Sequence, residues 1–176
     1  MSIFLSKTEI EDLISSNIYN LLKYRNINNI NKSNILSIIK NHDIKVINNF
    51  LIGYIYNKEI NNFINKLHTF KYNNGILILD VEDYDFSKDN LYQKNINVFT
   101  KNEFYINLTK SVYYCKHEII NEDDFKKSFP NILLSQLPII LHNDAVIRYI
   151  GGKVGDIIKI YRHNISGENI YYRKVK

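Results

Sequence analysis

One cysteine, Cys115, stands among 176 residues, which excludes an internal disulfide and any multi-cysteine zinc site. Tryptophan is absent, alanine occurs once (Ala145), and 2 prolines and 6 glycines are too few for a collagen-like or proline-rich chain. No run approaches the ~18 consecutive apolar residues of a membrane-spanning helix. The opening Met1-Ser2-Ile3-Phe4-Leu5-Ser6 has no basic segment and too short an apolar run for a signal peptide. The lone thiol agrees with a reducing compartment.

Hydrophobic residues make up 45% of the chain and charged residues 23%, enough to bury a core and to exclude wholesale disorder. Asn and Ile together supply about a third of the residues. With Lys and Tyr they are the residues of AT-rich codons, so this bias is a genome signature and weakens local propensity arguments. The net charge of +5 is uneven. Met1–Phe104 holds 12 basic against 11 acidic residues, whereas Tyr105–Lys176 holds 11 against 7. The basic surplus in the last third suits an acidic partner, either a protein surface or nucleic acid.

The pattern predicts alternating helices and strands in the first half. Ser6-Lys7-Thr8-Glu9 fits a capping box, and Ile10, Leu13, Ile14, Leu21 and Leu22 follow at helical spacing over Thr8–Lys23. Ser33 is the expected cap of a second helix carrying Ile35, Leu36, Ile38 and Ile39. Phe50–Tyr56 and Ile76–Leu79 read as buried strands, with a helix from Glu59 to His68 between them and a turn at Asn73-Asn74-Gly75. A short helix is expected over Ser87–Lys94 and a strand at Asn97–Phe99. This alternation favours an α/β layer with partly parallel strands.

The texture changes near Asn102, and a boundary is placed after Phe104. Tyr105–Leu108 reads as a strand, Glu122-Asp123-Asp124 as a helix start, and Asp144–Ile150 as a helix closed by Gly151-Gly152. Ile157–Arg162 and Asn169–Arg173, with Ser166-Gly167-Glu168-Asn169 between them, read as an antiparallel hairpin. The expected fold class is thus mixed α/β: an α/β domain over 1–104 and a small mixed domain over 105–176.

Several patterns bear on chemistry. Asp80-Val81-Glu82 at a strand end, with Lys88 nearby, has the loose grammar of a metal-dependent nuclease, but a solvated strand end is the simpler reading. Cys115-Lys116-His117 lacks an orienting third group. Gly151-Gly152-Lys153-Val154-Gly155 lacks the spacing of a phosphate loop. Arg148, Lys153, Lys159, Arg162, Arg173, Lys174 and Lys176 make the hairpin region basic. Arg162 falls on the same strand face as Ile158 and Ile160, where a charge needs a partner, and Asp144 or Asp156 is available for it. A free-standing basic nucleic-acid-binding module is the alternative reading of this composition.

One ordered set of residues is specific. It runs Gln136-Leu137-Pro138-x-Ile140, Asp144-x-Val146-x-Arg148-Tyr149-x-Gly151, Gly155-Asp156-Ile157-Ile158-Lys159-Ile160-x-Arg162, Ser166-Gly167 and Tyr171-Tyr172-Arg173-x-Val175. This resembles the assembly domain of the fifth subunit of eukaryotic RNA polymerases, which has an archaeal counterpart without a jaw domain. Ala145 and Ile139 depart from the family's usual Pro and basic residue. The N-terminal part is similar in outline to the eukaryotic jaw domain, though shorter. A jaw-like part implies a eukaryotic-type enzyme, and its shortness with the AT-driven composition suggests a large DNA virus, an AT-rich eukaryote being the alternative source.

The resemblance implies a non-catalytic subunit of DNA-directed RNA polymerase, with no catalytic residues, cofactor or metal of its own. It implies a hetero-oligomer with the largest and other polymerase subunits, weak contact with downstream duplex DNA through the complex, and no membrane. Its setting would be the nucleus, or a virion or cytoplasmic viral factory. The docking residues it implies are Pro138, Asp144, Arg148, Tyr149, Gly155, Lys159, Arg162, Gly167 and Arg173. Ser87 and Lys88 would lie toward DNA.

Overall fold

The computed structural model describes residues 5–28, 30–72, 74–86, 90–164 and 167–176. The chain forms two compact units, Met1–Leu108 and Thr109–Lys176, each mixing helices with a four-stranded sheet. The change of texture in the sequence falls a few residues earlier, after Phe104.

The first unit opens with α1 (Lys7–Tyr24), where Ser6 and Glu9 form the expected capping box. Ile14, Ile18, Leu21 and Leu22 face inward, at most 2% exposed, while Ile10 and Leu13 sit at the margin. Helix α2 (Lys32–Asn41) is capped by Asn31, not Ser33. The Asn31 side-chain oxygen accepts from the backbone N–H of Asn34 at 2.8 Å, and the Ser33 hydroxyl donates to that same oxygen. His42 closes the helix in a left-handed conformation, φ 48°.

Strands β1 (Ile44–Ile47) and β2 (Phe50–Ile55) form a hairpin, and β3 (Asn74–Leu79) and β4 (Ile96–Thr100) continue the sheet in the order β1-β2-β3-β4. The β1–β2 pair is antiparallel, whereas β2, β3 and β4 run parallel. The continuous apolar runs of β2 and β3 suit central strands covered on both faces. Asn74 and Gly75 therefore belong to a strand, not a turn, and Asn73 lies outside the described residues.

Helix α3 (Ile60–Thr69) inserts Phe63, fully buried, against β2 and β3. A Cβ on Gly53 would lie 2.8 Å from the Phe63 ring, and one on Gly75 would lie 3.0 Å from it. These two strand glycines make a flat seat for an aromatic ring.

The expected strand at Tyr105–Leu108 does not form. Thr100 and Glu103 build a capping box instead, with the Thr100 N–H donating to Glu103 Oε2 at 2.8 Å, so a 3-10 turn spans Lys101–Phe104. A second such turn spans Leu108–Lys110. Of the expected helix at Ser87–Lys94, Leu91–Lys94 is a 3-10 turn, and Ser87, Lys88 and Asp89 lie outside the described residues.

The second unit has β5 (Lys116–Ile120), α4 (Glu122–Ser128), β6 (Ile139–Ile140), α5 (Ala145–Ile150), β7 (Ile157–Asn164) and β8 (Gly167–Val175). Its sheet order is β5-β7-β8-β6. The β7–β8 hairpin is antiparallel as expected, and the two-residue β6 runs parallel to the end of β8.

Each face of this sheet has its own cover. Ile158, Ile160 and Val175 pack with Ile147 of α5 on one face. On the other, Phe125 and Phe129 meet Tyr172 edge-on at 5.3 and 5.1 Å.

Candidate functional site: a basic hairpin and its braces

The residues picked out by the sequence fall into two groups, one bracing the second unit and one exposed on its hairpin. Asp144 is the N-cap of α5, its Oδ1 accepting from the N–H groups of Val146 at 2.8 Å and Ile147 at 3.3 Å. Arg148 and Tyr149 are buried, 7% and 6% exposed. The Arg148 Nε donates to the Asn143 carbonyl at 3.0 Å, so this guanidinium holds the loop that leads into its own helix. Arg173 Nη1 donates to the Ile139 carbonyl at 3.1 Å, and the Pro138 carbonyl accepts from the Lys174 N–H. Together these bonds fasten β6 to the end of β8. Gly155 and Gly167 take φ of 98° and 116°, values that L side chains rarely adopt.

The exposed group surrounds two tyrosines. The Arg162 guanidinium lies over the Tyr171 ring, 5.3 Å from its centroid. That contact answers the question raised by a charge at the end of an apolar strand face. Asp144 caps α5 and Asp156 Oδ2 accepts from the Lys153 N–H, so both carboxylates have other work. On the opposite sheet face, Lys116 and Lys159 approach the Tyr161 ring at 5.1 and 4.9 Å. The Tyr161 hydroxyl donates to Glu118 at 2.6 Å, and Lys116 pairs with the same carboxylate. Hydrogen bonds from Lys116 and Tyr161 hold the Glu118 carboxyl below its ordinary pKa.

His117 is buried on the face shared with Ile160, and its Nδ1–H donates to the Cys115 carbonyl at 2.6 Å. Burial lowers its pKa. The bond to Cys115 and the charge of Asp144 oppose that shift, while Arg162 and Arg173 add to it. Cys115 is half-buried and packs at the edge of the apolar cluster around Ile147.

In the first unit, Asp80 sits just past β3. Its carboxylate accepts from His42 Nε2 and from Lys101 Nζ, both at 2.9 Å. Burial pushes the Asp80 carboxyl up, yet the hydrogen bonds and charges of His42 and Lys101 outweigh this and hold it below the ordinary value. Tyr54 is pushed far up by burial and by the adjacent Asp80 charge. Tyr56 stacks on the His42 ring, 4.3 Å between centroids and 8° from parallel. Among the described residues no group of three His, Cys, Asp or Glu side chains could hold a metal ion. Lys88, with Ser87, lies outside the described residues.

The site residues drawn from the sequence do not include His42, Lys101, Tyr161 or Tyr171. Strand alternation puts Tyr161 on one face with Lys159, and Tyr171 stands in the ordered family pattern. Nothing local signals His42, which reaches Asp80 from 38 positions away.

Residues 106–175 match the family profile described as RNA polymerase Rpb5, C-terminal domain. The DNA-directed RNA polymerase subunit Rpo5 of Nitrosopumilus maritimus is 40% identical over 67 residues, which cover 36% of this chain and 81% of that protein. The protein of the same name in Methanocaldococcus jannaschii is 35% identical over 71 residues, 39% of this chain and 91% of its own. DNA-directed RNA polymerase V subunit 5A of Arabidopsis thaliana is 28% identical over 89 residues, 48% of this chain and 40% of its own. With a shared segment that spans most of each archaeal relative and covers the braces and the hairpin alike, the chain belongs to the Rpb5/Rpo5 family of RNA polymerase fifth subunits.

Proposed function

We propose that this chain is a non-catalytic subunit of a multisubunit DNA-directed RNA polymerase, and that its C-terminal unit docks on the largest subunit. The observation that supports this is the match of residues 106–175 to the Rpb5 C-terminal domain. The exposed cations of the hairpin, Arg162 above all, supply the docking charge. Lys159 lies half-buried beside Tyr161, and the buried Arg148 and the bonded Arg173 keep the unit in shape. The N-terminal α/β unit takes the place of a jaw domain near downstream DNA, with the segment at Ser87 and Lys88 facing the duplex. Assembly then assigns the chain to the compartment of its polymerase: a nucleus, or a virion or viral factory for a viral source.

Charge reversal tests the docking role. Arg162→Glu is expected to reduce recovery of the large polymerase subunits with the tagged chain at least about tenfold, while far-UV circular dichroism and the thermal midpoint stay close to wild type. A variant that unfolds assigns Arg162 to the fold; a variant that assembles normally removes it from the interface.

A further inference from the structure

Strand β8 spans nine residues, but only its last two described pairs, Lys174 and Val175, are covered on the side away from β7. The register shows which backbone groups are left. The Val175 N–H donates toward β7, to the Asp156 carbonyl, and the Lys174 N–H donates the other way, to Pro138. Alternation along an extended strand then turns the amides of Tyr172 and Ile170 outward with Lys174, and those of Tyr171 and Arg173 inward to β7. Among the described residues no strand lies beside Ile170 and Tyr172. Natural proteins usually guard such an edge with Lys, Pro or a bulge; here the stretch Glu168–Tyr172 carries none of the Lys or Pro guards.

The two faces flanking this edge differ in chemistry. On one, Arg162 from β7 spreads its charge over Tyr171, next to Arg173. On the other, Ile170 is 47% exposed and stands two residues from Tyr172, which rests on Phe125 and Phe129.

We infer that β8 accepts an extended segment of a polymerase partner as an added strand, continuing the sheet where β6 leaves off, and that this segment alternates acidic and apolar side chains. The acidic set meets Arg162, the apolar set meets Ile170 and Tyr172, and the outward amides supply the main-chain bonds. The inference rests on the proposed docking role and gives that role its geometry.

Residue-resolved amide hydrogen exchange compares the free full-length chain with the chain in a purified polymerase assembly. The Ile170 and Tyr172 amides are expected to slow at least about tenfold on assembly, while that of Tyr171 is slow in both states. Equal exchange at Ile170 and Tyr172 in a recovered assembly overturns strand addition and leaves the subunit role standing; failure to recover any polymerase subunit removes both. Slowing in the free chain that grows with its concentration overturns the assignment in favour of pairing between two copies. Ile170→Pro offers a second arm, since its missing N–H is one that faces away from β7. It is expected to lower recovery of the large subunits at least about tenfold with Ile170→Val unaffected, and full recovery with Ile170→Pro overturns the inference. Should the Pro variant not fold, the exchange comparison on the wild-type chain decides alone.

Discussion

Phe63 rests on Gly53 so closely that a methyl group on the glycine would meet the ring at 2.8 Å. The first unit depends on this contact between α3 and the centre of its parallel sheet. Gly53→Ala is expected to destabilise the unit by about 1–3 kcal/mol through overpacking. Phe63→Ala would lose about 3–5 kcal/mol through the cavity it leaves. Chemical denaturation of the full chain, followed by signals from each unit, checks both. If Gly53→Ala is neutral, the ring has room that the contact denies.

Asp80 makes the first unit acid-sensitive. Its carboxyl is held below the ordinary value in the folded chain, by His42 and Lys101 against the cost of burial. A depressed folded pKa gives stability that is complete above the unfolded value of about 3.9 and lost as pH falls through the folded one. Wild type should therefore lose stability on acidification below about pH 4 more steeply than Asp80→Asn. Urea midpoints between pH 3 and 6, about the range over which such a carboxyl responds, measure this. Parallel curves for the two proteins would remove Asp80 from the account.

His117 acts at higher pH and in the second unit. Burial lowers its folded pKa below the unfolded value of about 6.5, so protonation favours the unfolded chain. The stability it preserves is present above about pH 6.5 and declines as pH drops toward the folded value. Replacing His117 with Gln should flatten the second unit's stability over that window, at some constant cost from lost packing. Nuclear magnetic resonance titration of the ring is the direct check, and a midpoint at or above the model-peptide value would contradict it.

Asp144 caps α5 through two backbone amides. Asp144→Ala should cost about 0.5–2 kcal/mol, and Asp144→Asn should recover most of that, because the amide oxygen still accepts. Thermal midpoints of the three proteins settle the order; equal loss in Ala and Asn variants would mean the charge, not the cap, matters.

Much of this fold was legible in the chain. Helix α1 announced itself through Ser6 and Glu9 and its apolar spacing, and the β7–β8 hairpin through its alternation. Asparagine hid other features. Asn26, Asn48 and Asn95 all take positive φ, as turn residues do, but in a chain so rich in Asn they look like filler. The β1–β2 hairpin, which turns at Asn48, went unread for that reason. Tyr105–Leu108 looked like a strand because its residues suit one, yet the capping box at Thr100 and Glu103 had already turned the chain. At the hairpin, the residue pattern named Arg162 but not its partner, since a guanidinium over a ring leaves no mark in spacing. The brace made by Arg148 was equally silent, because burial is a property of the packed unit.

The central claim, that this chain is a polymerase subunit, meets its most direct test in the protein's own source. The full chain with an affinity tag would be expressed in its native host or infected cell, purified under mild salt, and its companions identified and quantified. The account predicts two very large polymerase subunits in one-to-one ratio with the tagged chain, together with DNA-templated RNA synthesis in the eluate. Recovery of the chain alone, or with nucleic acid and no polymerase subunit, would contradict it.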